Sequence, residues 1–453
     1  MSTELIRLEP EFYTKKSFHL SNFYLGEEIA DFVQYGTSKG LNEEKKGYPV
    51  LRLNEFESSF ISAPKKYCSL IDEKTYLSLK LEKNDVLICR TNGNPKYVGK
   101  SAIVPRDYTY AYASYLFKVR PNIKKINSSS LVAYLNSKFG RIEIERYAMV
   151  GNQANFSPAK FKQLRIPKLG KELNYYIEKC TFDAYALLDK SKQTYTQAEQ
   201  LLLKEIGLLA FEPSQEPVNI KSFQNSFATS GRLDAEYYQK KYDDFIDMIQ
   251  SYAKGSESIS KCCNVKIKNF KPEDDKEYQY IELSNIGNSG TVQGCTTGLG
   301  KDLPSRARRQ VKTGDVIISS IEGSLTSCAL VTEQYNQALC STGFYVIDSD
   351  EINPETLLVL FKSELLQNLL KQACSGTILT AINKDDFLNI TIPLIDGNKQ
   401  QQIAEWIEKS FSLKKQSEHL LDVAKRAVEI AIEESEAVAL DYINTEISEY
   451  AKQ

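Results

Sequence analysis

An internal repeat constrains this sequence more than any other feature. The turn Asn84-Asp85 before an apolar run corresponds to Gly314-Asp315, and Val50–Asn54 corresponds to Tyr280–Asn285. Further pairs follow in the same order: Arg7–Tyr13 with Arg232–Tyr238, Asn127 with Asn353, Gly151 with Gly376, Phe161 with Phe387, and Ile166-Pro167 with Ile392-Pro393. All offsets lie between 225 and 230 residues. Self-similarity at a nearly constant offset indicates a tandem duplication.

A long helical pattern follows each copy of the repeat. From Lys171 to Gly207, and again from Lys399 to about Tyr442, apolar or small residues recur at alternating spacings of four and three. This alternation predicts a helix with one continuous seam. Each helix is a candidate partner for the other, although two ordinary amphipathic core helices are the alternative. The seam positions selected as helix contacts are Ile177, Ala184, Leu187, Leu201, Ile403, Trp406, Leu413, Leu420 and Val428.

Each lobe is predicted to be α+β. Short runs rich in Val, Ile, Tyr and Phe predict strands at 86–90, 101–104 and 114–119, and at 316–319, 328–332 and 343–347. A single helix is expected to follow each set, at 131–146 and 355–373. The predicted domains are a first lobe (1–170), a central helix (171–209), a linker (210–221), a second lobe (222–396) and a C-terminal helix (397–453).

The charge of the chain is unevenly distributed. The net charge is only -2, but residues 1–170 hold 27 Lys and Arg against 17 Asp and Glu. Residues 221–396 hold 18 against 23. A basic surplus of this size attracts a polyanion, and a solvated basic surface is the alternative explanation.

Little in the sequence supports catalysis. The chain has two histidines and nine cysteines without a C-x-x-C pair, so a His-based triad, a zinc site and a disulfide framework lack material. Gly93–Ser101 resembles a phosphate loop with one residue too many, and a predicted strand follows it where such a loop opens a helix. We therefore expect a binding protein with no catalytic residues, metal or cofactor of its own. No stretch approaches 18 consecutive apolar residues, which predicts a cytoplasmic protein without membrane contact.

The loop from Arg90 to Lys100 carries cations, amides and an aromatic side chain after a predicted strand. Arg suits guanine, Asn suits adenine and Lys suits phosphate, whereas a plain hairpin turn is the alternative. Lys266, Lys268 and Lys271 add positive charge to the second lobe. The full set of candidates for DNA contact is Arg52, Arg90, Thr91, Asn92, Asn94, Lys96, Tyr97, Lys100, Asn152, Gln153, Ser284, Asn285, Arg306, Arg308, Arg309, Ser319, Ser320 and Thr380.

Taken together, these motifs resemble the specificity subunits of type I restriction-modification systems. The resemblance covers nearly the whole chain and depends on the paired openings, the paired Asp turns, the Arg90–Lys100 loop, the Phe161–Pro167 and Phe387–Pro393 exits, and the two long helices. It implies two target-recognition domains in inverted orientation, separated by antiparallel coiled-coil helices. Each domain would read one half of an interrupted double-stranded DNA sequence.

The resemblance also implies partners. Two adenine-methyltransferase subunits would dock on the helices, and restriction/translocase subunits would join them. S-adenosylmethionine, Mg and ATP are then expected on these partner subunits. A type IIB specificity subunit would look much the same, and a stand-alone DNA-binding regulator or a coiled-coil scaffold without DNA affinity remain alternatives.

Overall fold

The computed structural model describes residues 15–37, 39–148, 154–376 and 380–450. The chain divides into two compact units, the first formed by residues 1–189 with 414–453 and the second by residues 190–413. Each unit therefore contains one lobe of the repeat and part of both long helices. The opening Arg7–Tyr13 and the landmark Gly151 lie outside the described residues.

The first unit contains fourteen strands in its described part. They are β1 (Phe23–Leu25), β2 (Ala30–Tyr35), β3 (Leu41–Asn42), β4 (Tyr48–Leu51), β5 (Phe56–Glu57), β6 (Phe60–Ile61), β7 (Lys66–Cys68), β8 (Val86–Cys89), β9 (Thr91–Asn92), β10 (Ser101–Ile103), β11 (Ala111–Tyr112), β12 (Leu116–Pro121), β13 (Ala154–Asn155) and β14 (Arg165–Pro167). Its helices are α1 (Gly26–Ile29), α2 (Glu73–Leu79), α3 (Ser128–Asn136), α4 (Lys138–Tyr147), α5 (Pro158–Lys162) and the first part of α6 (Lys171–Glu205).

The second unit repeats much of this order. Its strands are β15 (Ser256–Ser258), β16 (Asn264–Val265), β17 (Glu277–Ile281), β18 (Thr296–Leu299), β19 (Ala307–Gln310), β20 (Val316–Ser319), β21 (Cys328–Leu330), β22 (Leu339–Ser341), β23 (Phe344–Asp348), β24 (Cys374–Ser375), β25 (Ala381–Ile382) and β26 (Thr391–Pro393). Its helices are α7 (Phe227–Ser230), α8 (Lys240–Gln250), α9 (Ile259–Cys262), α10 (Pro354–Lys362), α11 (Glu364–Ala373), α12 (Lys384–Asn389) and the first part of α13 (Gly397–Glu433). Helix α14 (Glu436–Tyr450) then returns to the first unit.

The predicted strands form the centre of each unit. In the first unit β8 lies between β12 and β10 in a six-stranded sheet of order β2-β12-β8-β10-β6-β5. Val86 and Ile88 belong to one hydrophobic core and Leu87 to another. Because successive side chains of a strand point to opposite faces, β8 is covered on both sides. In the second unit β20 lies between β23 and β21 and divides its side chains between two cores in the same way.

The predicted Asp turns precede these central strands. Asn84 and Gly314 both have positive φ, +72° and +88°, a conformation that Gly and Asn tolerate best. The carboxylate of Asp85 accepts the backbone N–H of Glu82 at 2.9 Å, and that of Asp315 accepts the N–H of Lys312 at 2.8 Å. The repeat therefore extends to individual hydrogen bonds.

The single helix predicted after the strands of each lobe is wrong in both units. Each is two helices, α3 with α4 and α10 with α11, and the break falls at Ser137 and Ser363. Both serines have extended backbone, and their hydroxyls cap the second helix by accepting from Gly140 N at 3.2 Å and Leu366 N at 3.4 Å. A serine that bonds to the local backbone competes with helix continuation.

The two long helices pair antiparallel. In the first unit the hydroxyl of Ser417 donates to the carbonyl of Ala184 at 2.7 Å. In the second unit the hydroxyl of Ser191 donates to the carbonyl of Ser410 at 2.8 Å. Residue numbers fall along α13 as they rise along α6, so the seam predicted from sequence is confirmed as an intramolecular one.

The second long helix ends earlier than predicted. A break at residues 434 and 435 separates α13 from α14, where the pattern predicted one helix to about residue 442. Ser435 Oγ accepts the N–H of Val438 at 3.3 Å and begins the new helix. The carboxylate of Glu436 accepts the N–H of Gly170 at 3.0 Å, just before α6 begins, and Ala439 is buried. Helix α14 therefore packs onto the first unit.

The predicted linker contains no helix or strand between residues 212 and 221. It nevertheless contacts later residues of the second unit. Asn219 Nδ2 donates to Tyr238 O at 2.8 Å, and Lys221 pairs with Asp243 at 2.6 Å.

In the described ranges, no helix is both long enough and apolar enough to cross a membrane. The same residues contain no cluster of three or more His, Cys, Asp or Glu side chains that could hold a metal ion.

Candidate nucleic-acid interface

The Arg90–Lys100 loop connects the two buried strands β8 and β10. Its first residues form β9, which pairs antiparallel with β13, so the loop begins as a short two-stranded ribbon. The side-chain oxygens of Asn92 and Asn94 then accept the backbone N–H groups of Asn94 and Lys96 at 2.8 and 3.1 Å. These bonds shape a short 3-10 turn at Pro95–Tyr97. The side chains of Asn94, Lys96 and Tyr97 are exposed at the loop tip.

Arg90 lies at the base of this loop in a fixed backbone position. Its N–H donates to Tyr115 O at 2.8 Å, and its carbonyl accepts from Phe156 N at 2.7 Å. Its guanidinium lies over the ring of Tyr35, 5.3 Å from the ring centroid. Arg90 Nε is buried and has no hydrogen-bond partner among the described residues.

Lys100 closes the loop at its other end. Burial lowers the pKa of its amine, and the Nζ atom lies 5.9 Å from the centroid of the Tyr97 ring. Arg141 donates from Nη2 to the carbonyl of Lys96 at 3.2 Å and fixes the loop from the side of α4. The loop is therefore a supported structure with an exposed polar tip.

The second unit places a matching pair of segments at the same point of the repeat. After β20, Ile321 forms a β-bridge with Ala381 of β25, and the N–H of Glu322 donates to Thr380 O at 3.1 Å. The predicted residues Ser320 and Thr380 therefore lie on adjacent segments. Ser319 is fully buried, and its hydroxyl lies 2.9 Å from that of Ser324. Asn152 and Gln153, predicted for the first unit, lie outside the described residues.

Three predicted residues lie at the short 3-10 turns that follow β4 and β17. Arg52 Nη2 is 2.9 Å from the carboxylate of Glu55, a residue that is almost fully buried. Asn285 Oδ1 accepts the N–H of Glu282 at 2.7 Å and caps the equivalent turn. Ser284 is exposed. The charge of Arg52 is thus already compensated within the chain, whereas Ser284 is exposed and its hydroxyl makes only a long bond, 3.4 Å, to the carboxylate of Glu282.

The three predicted arginines of the second unit lie on or beside β19, an edge strand of the sheet β18-β17-β22-β19. Arg306 and Arg308 are exposed, and Arg308 Nε donates to Ser305 O at 2.8 Å. Arg309 donates to the carbonyl of Ile267. Of the three, Arg306 and Arg308 best combine charge with exposure.

Arg306 is connected to the Ser320 loop through one turn. The carbonyl of Arg306 accepts the N–H of Thr342 at 2.9 Å, and the next residue, Gly343, accepts the hydroxyl of Ser320 at 3.0 Å. The structure therefore brings the Arg306 segment and the Ser320–Thr380 segments together. Lys266 is instead paired with the carboxylates of Asp315 and Asp348.

Tyr35 is a candidate that the sequence did not suggest. It ends the edge strand β2, is 47% exposed, and is the aromatic partner of Arg90. An aromatic residue in a strand is usually read as a core residue, and the contact joins positions 55 residues apart. Only the fold brings the two side chains together.

The nine selected helix positions are used within the chain. Ile177, Ala184, Ile403, Leu413, Leu420 and Val428 are buried, and Leu187, Leu201 and Trp406 are half-buried. A partner protein would therefore meet the outer faces of the helices. On α6 that face presents Tyr175, which is 60% exposed.

Part of the chain matches a known protein family, and most of the chain is similar to a known protein. Residues 257–422 match the family described as Type I restriction modification DNA specificity domain. Over 413 residues the chain is 22% identical to the type I restriction enzyme MjaX specificity subunit of Methanocaldococcus jannaschii. The matched region covers 88% of this chain and 90% of that protein.

Two solved structures are similar over most of the chain. One is the S subunit of a type I restriction-modification system from M. genitalium, with 11% identity, 93% of this chain and 95% of that chain covered, and a TM-score of 0.36. The other is the HsdS subunit from Thermoanaerobacter tengcongensis, with 13% identity, coverage of 92% and 98%, and a TM-score of 0.30.

Proposed function

Because residues 257–422 match the family described as Type I restriction modification DNA specificity domain, we propose that the whole chain is the DNA-recognition subunit of such a system. Each unit reads one half of an interrupted double-stranded target, and the bases between the halves are not read. The chain itself is not catalytic.

The observation that carries this proposal is the paired loop at the end of each central strand. In the first unit the loop after β8 pairs with β13, and in the second the loop after β20 pairs with β25. The central strand and the paired loop correspond in the two units, but the loops carry different side chains: Arg90, Asn94 and Lys96 in one, and Ser320 and Glu322 in the other. Two similar scaffolds whose loop tips carry different side chains are suited to reading two different DNA sequences.

Base contacts and phosphate contacts have different roles in this scheme. The exposed cations Lys96, Arg306 and Arg308 supply phosphate contacts, which position the protein without reading sequence. Arg90 and Asn94 carry the hydrogen-bonding groups that distinguish bases in the major groove.

The outer faces of α6 and α13 are proposed to dock two adenine-methyltransferase subunits, and restriction/translocase subunits join these. The two helices are also proposed to act as the spacer between the halves of the target. Each of α6 and α13 is a continuous helix, and part of each belongs to each unit. S-adenosylmethionine, Mg and ATP then belong to the partner subunits.

Methylome sequencing of a host with and without this gene tests the proposal. We expect one interrupted motif whose adenine methylation disappears when the gene is deleted and returns with a plasmid copy. An unchanged methylome in a host that expresses the partner subunits would contradict it.

A further inference from the structure

The contact between Tyr35 and Arg90 is set by the register of the central sheet. Tyr35 on β2 faces Phe117 on β12, and Phe117 faces Ile88 on β8. Arg90 lies two residues after Ile88, just beyond the end of β8, and its N–H still donates across to Tyr115 O at 2.8 Å. Alternate residues along such a paired segment share a face. The guanidinium therefore reaches the Tyr35 ring, 5.3 Å from its centroid.

Arg90 differs in its surroundings from three other arginines of the first unit. The guanidinium groups of Arg52, Arg120 and Arg165 each contact a carboxylate, at distances between 2.5 and 2.9 Å. The structure gives Arg90 no ion pair and no side-chain hydrogen bond to any described residue, and its Nε atom is buried. A half-buried guanidinium whose contact is an aromatic ring alone still has unsatisfied N–H donors, and a ligand that accepts hydrogen bonds from them would offset that cost.

We propose that Tyr35 is a positioning residue that holds Arg90 for contact with a guanine in the first half of the target. This inference rests on the proposed function. An arginine presents a planar fork that matches guanine O6 and N7, the commonest specific contact in the major groove. Contact with the Tyr35 face fixes that fork before DNA arrives, which lowers the entropic cost of binding.

The second unit lacks this device. Ser320 occupies the position equivalent to Arg90, and its hydroxyl donates to Gly343 O at 3.0 Å. A neutral side chain that is already bonded cannot make the same contact. This guanine contact therefore belongs to the first half of the target only.

The test compares four variants in the host that carries the partner subunits, with the methylome as the readout. Tyr35→Leu removes the aromatic face but keeps an apolar side chain on the edge strand, and Tyr35→Phe keeps the face. Arg90→Ala removes the fork itself. Phe32→Ala is the matched control, because Phe32 is similarly exposed on the same strand but lies over Lys118 and Arg120, which are paired with Asp85.

We expect Arg90→Ala to relax a single G·C position in one half of the motif. Tyr35→Leu should relax the same position more weakly, by roughly twofold to 30-fold in discrimination, the range of a cation–π contact. Tyr35→Phe and Phe32→Ala should leave the motif unchanged. The proposal is overturned if Tyr35→Leu keeps the wild-type motif, if the relaxed position is an A·T pair, or if methylation falls equally at all sites. A wild-type strain without a gene-dependent interrupted motif would instead refute the proposed function.

Discussion

Ser191 and Ser410 exchange hydrogen bonds across the two long helices. Each hydroxyl donates to the carbonyl oxygen of the other residue at 2.8 Å, and the two hydroxyl oxygens are 3.0 Å apart. Helix axes can approach this closely only where the side chains between them are small.

The first prediction is that this position tolerates no large side chain. Ser410→Leu should destabilise the chain by about 1–3 kcal/mol, because overpacking forces the helices apart and breaks both bonds. Ser412→Leu, on the exposed face of the same helix, is the control and should change stability by less than about 0.5 kcal/mol. Urea unfolding of the two variants makes the comparison, and equal midpoints would show that the contact does not set the helix separation.

A second prediction concerns Asp85, which is fully buried in the turn directly before β8. It lies 2.7 Å from Arg120 and 3.8 Å from Lys118, a lysine that is only 1% exposed. Asp85→Ala leaves the buried Lys118 without its carboxylate partner and Arg120 with Glu82 alone, and it should cost about 3–5 kcal/mol. Glu82→Ala removes the other carboxylate partner of Arg120 from an exposed position, so its cost should be below about 1 kcal/mol. Thermal or urea unfolding would separate the two.

The third prediction is a pH dependence at Glu199 on α6. Burial raises the pKa of its carboxyl above 4.5 in the folded protein. The folded state therefore binds this proton more tightly than the unfolded state, and the associated stability is lost as pH rises through the folded pKa. Glu199→Gln should raise the unfolding midpoint at pH 7, and the gain should vanish below about pH 4.5. The exposed Glu405 provides the control substitution, and a gain independent of pH would exclude the ionisation as its cause.

A fourth prediction uses the heptad spacing of the helix contacts. Ala184 and Ser191 are seven residues apart on α6, as are Ser410 and Ser417 on α13. A seven-residue insertion between the members of each pair keeps the seam in register and lengthens both helices by about 10 Å. The unread gap of the target should grow by at most about three base pairs, with both half-sites unchanged. An unchanged gap in an active complex would show that the helices do not set the spacing.

The sequence predicted the scaffold better than the contacts. The repeat, the central strands and the helix seam follow from local patterns, and the resemblance to type I specificity subunits is confirmed. The breaks at Ser137 and Ser363 were missed because a serine fits a helical pattern until its hydroxyl caps the next turn. Lys118 occupies the middle of a strand, where a charge usually indicates a solvent face, yet its Nζ donates to Lys80 O at 2.7 Å inside the fold.

In the candidate site, too, local sequence predicted one loop but not the contacts between distant residues. The Arg90 loop was selected as a candidate because its composition is unusual over a short stretch. The pairing of Lys266 with Asp315 and Asp348, and the contact of Tyr35 with Arg90, depend on residues far apart in sequence. Such contacts are fixed by strand register, which no local pattern contains.

The most direct test of two independent readers is an exchange of one of them. Residues 20–165 are replaced by the corresponding segment of another member of the family with a different target, and the methylome of the host is sequenced. We predict a hybrid motif in which one half is new and the other half is the original. A motif in which both halves change, or neither does, would contradict the assignment of one half-site to each unit.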